Sequence, residues 1–287
     1  MASGTSKQLK ILATVAHPHD ITHMSGTLAH HVQDGDLVTA VSVTGGTHTH
    51  RQRLEDEMRK PLDERDLSVL QVSEEEYGHQ KASEFSQVCA LFGITDAHIL
   101  PFPDWPWELS KEMVQALTET ILAVRPDVIL THAPGCGTQL RQGWVYDPGL
   151  DPHGDTGRAI HAAMAFASMP DEISRRQSHT VKAVFYLAVD LPMQSVDLFI
   201  DITDQAANRI RAEKLFTTQD HTAEYANKRI QIGAGFMGWM SGTSYGEAWV
   251  RARPQFNLRI DLTDQELERA DLPSVDYLAR VGKIIMD

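Results

Sequence analysis

Two imidazoles and a carboxylate fall within four residues at His17-Pro18-His19-Asp20, directly after the aliphatic run Lys10–Ala16. His17 and Asp20 stand three apart, so one turn of chain can aim both at a single cation. Imidazole nitrogen and carboxylate oxygen are donors that a borderline ion such as Zn²⁺ accepts. His19, between them, has a side chain suited to moving a proton near neutral pH. On spacing alone the H-x-x-D pattern is short, and a polar surface turn fits it equally well. Two further histidines sit at comparable places: His132 closes the run D-V-I-L-T, and His153 opens the segment His153-Gly154-Asp155-Thr156-Gly157-Arg158-Ala159.

The elements that must position these groups alternate. A strand over about Leu9–Ala16 leads through the motif into a helix over Ser25–Gln33, stopped by Asp34-Gly35-Asp36. Leu37–Thr44 is a second strand, which makes a βαβ unit with a right-handed crossover and a parallel pair. Residues 47–77 form a strongly charged excursion beside the strand end. Its charges read as a solvated face, with Arg51 and Arg53 as substrate contacts in the alternative reading. A helix over Gly78–Gly93, a strand over Ala97–Phe102, a helix capped by Ser110 and a strand over Asp127–Thr131 follow. After the loop to Pro152, a helix runs from His153 to about Ser168. Strands over Val181–Val189 and Asp197–Ile202 precede a helix that Asp204 caps and that reaches Gln219; from His221 to Arg253, helix mixes with a glycine-rich stretch. Strands alternating with helices, without internal repeats, predict a three-layer α/β/α sandwich with a mainly parallel, Rossmann-like sheet. The whole of residues 1–287 is read as a single domain, with residues 1–8 frayed. A strand that ends in polar side chains ahead of a helix is where such sheets keep their sites.

Composition narrows the class of partner. A formal net charge of −13 over 287 residues argues against nucleic acid and anionic membrane surfaces, leaving a small-molecule substrate as the expectation. Two cysteines supply neither a disulfide framework nor a cysteine-rich zinc site, whereas fourteen histidines, several clustered, are the compositional oddity. No stretch reads as a signal peptide or a membrane span, so a cytoplasmic location is the default expectation. The tryptophans of Asp104-Trp105-Pro106-Trp107 and the G-F-M-G-W-M segment read as core, as pocket lining, or as a contact in a homo-oligomer.

Three separated stretches resemble one family. A-H-P-H-D-I stands where the LmbE-like (PIG-L) de-N-acetylase superfamily has A-H-P-D-D-E. R-P-D-V-I-L-T-H-A-P is similar to its P-D-v-v-x-T-H strand, and Thr156-Gly157-Arg158-Ala159 fits its T-G-R-A helix. Later, D-I-T-D at Asp201–Asp204, T-T-Q ending at Gln219 and Y-G-E-A at Tyr245–Ala248 look like further landmarks, so the likeness spans roughly residues 9–250. The resemblance implies His17, Asp20 and His153 as ligands of one zinc per chain. It also implies His132 as a group orienting a ligand, unless it is a buried histidine satisfied by backbone, and Arg158 as a structural residue. An open zinc position that activates water would then hydrolyse an amide.

The sequence departs from the family's pattern in two motifs, where Ile21 stands in place of a glutamate and Pro152 in place of an aspartate. His19 replaces the aspartate that serves as general base, and Leu150 replaces the histidine that assists the oxyanion. His19 can still accept a proton, and His23, His48, His50 or Tyr146 are the side chains available for the second role. The reading is therefore a zinc-dependent hydrolase that removes an N-acetyl group from an amino-sugar-like or conjugated small molecule. The alternative is a zinc-dependent hydratase or lyase acting on an unsaturated carboxylic acid, like the superfamily's 4-oxalomesaconate hydratase. That alternative needs a carboxylate clamp, for which Arg51, Arg53 and Arg141 are candidates.

Overall fold

The computed structural model describes residues 7–134, 152–171, 175–260 and 262–285. Cys136, Arg141, Tyr146 and Leu150 lie outside the described residues. Strand β1 (Lys10–Val15) is buried on both faces from its second residue, which is what an unbroken I-L-A-T-V run requires of a central strand. It pairs in parallel with β2 (Leu37–Thr44) on one side and β4 (Val128–Thr131) on the other. Strand β3 (Asp96–Phe102) continues beyond β2, and β5 (Ala183–Leu187) beyond β4, both in parallel. The sheet closes with β6 (Leu198–Asp201) and β7 (Gly246–Arg251) in the order β3-β2-β1-β4-β5-β7-β6, with β7 antiparallel to both neighbours. The mainly parallel sheet between helices agrees with the sequence reading. Strand β7 was read only as a landmark, because its glutamate disguises a buried strand.

Order reverses between β1 and β4: the chain builds outward from β1 through β2 to β3, then restarts on the opposite side. The crevice outside the carboxyl ends of these two strands is the switch point at which such sheets bind ligands. Helix α1 (Ser25–Gln33) starts there after a 3₁₀ turn over Pro18–Met24. Its first turn has no cap of its own. Glu247 on β7 supplies one, accepting from the Gly26 and Thr27 N–H groups at 2.9 and 2.8 Å and from the Thr27 hydroxyl at 2.6 Å. Gly26 allows this approach, since a Cβ there would lie 2.6 Å from the Ile202 side chain. The Y-G-E-A and D-I-T landmarks thus meet on the first turn of α1, where they fix the helix that follows the motif.

The charged excursion contains α2 (Gln52–Arg59) and the single turn α3 (Leu67–Leu70), before α4 (Glu74–Leu91) begins four residues ahead of Gly78, capped by Ser73. Helix α5 (Lys111–Val124) is capped by Ser110 as read. Helix α6 (Pro152–Ser168) packs against α5 and places Gly157 on the end of β4. Two apolar layers lie on the two faces of the sheet. One contains Val15, Met24, Phe85 and Trp249, and the other contains Leu12, Leu117, Ile129 and Ile160. Helix α7 (Ala206–Leu215) is not capped by Asp204, whose carboxylate instead meets His30 at 2.9 Å, and it ends before the Thr217–Gln219 turn. The glycine-rich stretch is helical, inside α8 (Ala223–Ser241). Gly238 lets that helix pass within reach of the Ser244–Tyr245 backbone, where a Cβ would meet atoms at 2.5 Å. Helices α9 (Asp264–Asp271) and α10 (Ser274–Val281) follow β7.

Candidate metal centre

His17 leaves the end of β1, and Asp20 lies one 3₁₀ turn later. The backbone N–H of His17 donates to Asp20 Oδ2 at 2.8 Å, which locks the carboxylate back toward the strand end. That same oxygen stands 3.3 Å from His17 Nδ1 and 3.4 Å from His153 Nε2. His153 arrives from the first turn of α6, whose position is set by close backbone contact. A Cβ on Gly157 would lie 2.6 Å from the His132 carbonyl oxygen and 2.8 Å from the Pro134 nitrogen, so only glycine permits this seat on β4. Arg158 pairs with Asp155, and the Trp107 indole donates to Asp155 at 2.7 Å, tying the same turn to the loop after β3. The structure therefore brings His17, Asp20 and His153 together, with donor atoms within 4.8 Å of one another.

This donor set fits a zinc ion. His17 is 4% exposed, yet neither of its ring nitrogens has a hydrogen-bond partner among the described residues. Burying an imidazole with both nitrogens unsatisfied is costly unless a cation takes one of them. Burial alone would raise the Asp20 carboxyl, but His153, His132 and His17 around it hold it well below the usual carboxylate range. The group is an anion, as a ligand must be. His132 Nε2 accepts from the Ala16 N–H at 3.2 Å, so backbone does satisfy it. It also stacks on the His153 ring at 4.3 Å with planes 3° apart, and thereby sets the orientation of that ring.

His19 is held by a separate set of residues. Its Nε2 meets Glu213 Oε2 on α7 at 2.9 Å, and its ring packs against Phe216, His221 and His23 at 4.9, 5.0 and 6.0 Å. Burial lowers its pKa, and Glu213 opposes that shift without cancelling it, so the ring is neutral at pH 7. Glu213 has no exposed side-chain surface; His19, His221 and Arg229 outweigh its burial and keep it ionised. Sequence reasoning missed Glu213, which sits in the charged string R-I-R-A-E-K and reads there as solvated.

Four groups had been left open for the oxyanion. Tyr146 lies outside the described residues. His48 faces Asp104 and Glu74, and His23 meets Arg229 at 3.2 Å. His50 is the one held against His17, with ring centroids 6.2 Å apart. Its loop is clamped by Asp104, which accepts the N–H groups of Thr47, His48 and Thr49. The buried Lys81 ammonium donates to the Thr49 carbonyl at 3.0 Å, and burial lowers its pKa to about 8. Burial first, then the neighbouring His17, His19 and Lys81, lower the His50 pKa to about 2, so this imidazole is neutral throughout the working range. Arg51 lies over the Tyr77 ring at 4.6 Å and Arg53 pairs with Asp220 at 2.5 Å. Both line a cavity of ≈ 400 Å³ with Leu54, Val69 and Thr218, apart from the three-donor set.

Residues 12–142 match the family described as PIG-L: GlcNAc-PI de-N-acetylase. They are a PIG-L domain. That stretch carries β1 to β4 with His17 and Asp20, whereas His153 and Glu213 come from the chain beyond it. A search of the curated proteins finds no match. Among solved structures, the chain is similar to the 4-carboxy-2-hydroxymuconate hydratase GalB of Pseudomonas putida, at a TM-score of 0.69 and 17% identity over 88% of this chain and 100% of that one. It is also similar to the N,N'-diacetylchitobiose deacetylase of Pyrococcus horikoshii, at 0.66 and 21% over 87% and 86%. A third is the A40926 pseudoaglycone deacetylase Dbv21, at 0.56 and 16% over 88% and 100%. At such identities these likenesses are of the fold around the PIG-L domain. Among the described residues no helix is long and apolar enough to cross a membrane.

Proposed function

We propose that this protein is a zinc-dependent hydrolase that removes an acyl group from nitrogen on an amino-sugar-like or conjugated small molecule. The observation that carries the reading is the buried His17 imidazole, whose ring nitrogens have no hydrogen bond among the described residues, facing Asp20 and His153. These three residues would hold one zinc per chain, and PIG-L proteins are zinc-dependent. When bound, the ion supplies Lewis acidity and brings the pKa of water toward neutrality. His19, neutral and held by Glu213, accepts the proton of the attacking water on its free ring nitrogen and returns it to the departing amine. Glu213 fixes the tautomer of His19 and offsets the charge that the ring then carries. His50, neutral at every relevant pH, donates a ring N–H toward the oxygen on which negative charge develops.

A second reading, addition of water to an unsaturated carboxylic acid, has one observation in its favour. The half-buried Arg229 guanidinium stands beside the base: its Nε lies 3.5 Å from Glu213 Oε1, with Tyr225 and His23 around it, where a substrate carboxylate could be anchored. The two readings share the centre and the base and differ in the bond made or broken.

The experiment is zinc content after dialysis, followed by turnover on N-acetylated amino sugars and on unsaturated dicarboxylic acids. One retained zinc per chain with release of free amine is the expected result. Hydration of the alkene acid without amine release moves the protein to the second reading, and no retained zinc removes both. His153→Ala should lose the retained zinc; unchanged zinc would take His153 out of the ligand set.

A further inference from the structure

The cluster around Glu213 has the same geometry as the centre just described. Glu213 Oε2 lies 2.9 Å from His19 Nε2 and 3.3 Å from His221 Nδ1. The corresponding separations about Asp20 Oδ2 are 3.3 and 3.4 Å. Ligand bonds of about 2.1 Å at a tetrahedral angle put neighbouring donor atoms about 3.4 Å apart, so both Asp20 contacts and the His221 contact stand at the spacing of shared coordination, while His19, now at hydrogen-bond distance, reaches it by opening about 0.5 Å. The other carboxylate oxygen, Oε1, is turned to Arg229 Nε at 3.5 Å and has no hydrogen-bond partner among the described residues. That division, one oxygen toward two imidazoles and the other toward a guanidinium, is how a monodentate carboxylate ligand is held by its surroundings. The three residues come from three elements: the 3₁₀ turn after β1, helix α7, and the αL turn at Asp220 that delivers His221 ahead of α8.

We propose that His19, Glu213 and His221 form a second site for a borderline divalent cation such as zinc, separate from the His17–Asp20–His153 set and weaker than it. It is weaker because Arg229, and Arg209 behind it, already stand near the carboxylate, so a cation entering there meets positive charge. His221 Nδ1 must also leave the Glu213 carbonyl oxygen, which it meets at 3.3 Å. The site fills after the first. Filling it engages the ring nitrogen by which Glu213 holds His19, so zinc beyond the first equivalent suppresses turnover. This consequence for turnover rests on His19 being the base, whereas the binding does not.

The test is zinc titration of the full, metal-stripped chain by calorimetry, with native mass spectrometry for the count. Two equivalents are expected for the unaltered protein, the second bound at least tenfold more weakly. His221→Ala should keep the tight equivalent and lose the weak one, and His221→Gln, which preserves side-chain size, should do the same with an unchanged melting temperature. His153→Ala should retain the weak equivalent while losing the tight one, which separates the two sites whatever reaction the enzyme performs. Saturation at one equivalent in the unaltered protein overturns the proposal, as does a second equivalent that survives both His221 variants.

Discussion

In the proposed mechanism, the His19–Glu213 contact lets a histidine stand where the resembled family pattern has an aspartate. An aspartate at that place brings its own negative charge, while a histidine becomes cationic as it accepts the proton. A buried, ionised carboxylate 2.9 Å away compensates for that change. Glu213→Gln keeps the shape and removes the charge. We expect kcat to fall about 10- to 100-fold with KM and the tight zinc equivalent little altered. An unchanged kcat would separate Glu213 from the chemistry. The motif itself stood out in the sequence through its likeness to A-H-P-D-D-E, because the three-residue spacing of His17 and Asp20 fits a polar surface turn equally well. Glu213 did not, being 194 residues from His19 in sequence and dressed as a surface charge.

Two elements position the centre, and each rests on one contact. Helix α6 carries His153 only because Gly157 lets its backbone touch the end of β4. Gly157→Ala puts a methyl group against main-chain atoms that cannot swing aside, which should cost about 1–3 kcal/mol and show as a lowered melting temperature. His153 then moves off Asp20, so zinc affinity should fall in the same variant; retained affinity would mean that α6 shifts without disturbing the donor set. The loop carrying His50 depends on Asp104 instead. Burial would raise that carboxyl, but the Thr49 and His48 N–H groups bring its pKa down from 3.8 to about 2. A depressed carboxylate stabilises the fold above its unfolded pKa and loses that contribution as pH falls through the folded one. About 2 kcal/mol is therefore present at neutral pH and disappears between about pH 4 and pH 2. Urea midpoints of the unaltered protein and of Asp104→Asn should differ at pH 6 and converge toward pH 2. A constant difference across that range would show that the clamp is not electrostatic. Periodicity and caps revealed these elements; their seating did not show in it, since a glycine touching a distant carbonyl has no local signature. The same reason hid β7, whose Glu247 is occupied in capping the distant first turn of α1.

At the scale of the whole molecule, large apolar side chains stand exposed along two stretches. Phe256, Leu258 and Ile260 are 90%, 98% and 94% exposed, and along α8 Ile232, Phe236 and Trp239 are 60%, 48% and 64% exposed. Patches of this kind mark contact surfaces. The homo-oligomer that the sequence left open is the expected occupant. Sedimentation should give a mass above the chain's 32.0 kDa, and polar replacement of Phe256, Leu258 and Ile260 together should return it to that value without loss of thermal stability. A 32.0 kDa species of the unaltered protein at all concentrations would refute this. The centre, for its part, draws His17 and Asp20 from the first strand's end and His153 from a helix beyond the PIG-L stretch. No early fragment of the chain holds all three donors. Under the proposed ligand set, a growing or refolding chain retains metal only after its distant parts have met, and the moment at which zinc becomes resistant to a chelator would time the closure of the slow, non-local half of folding.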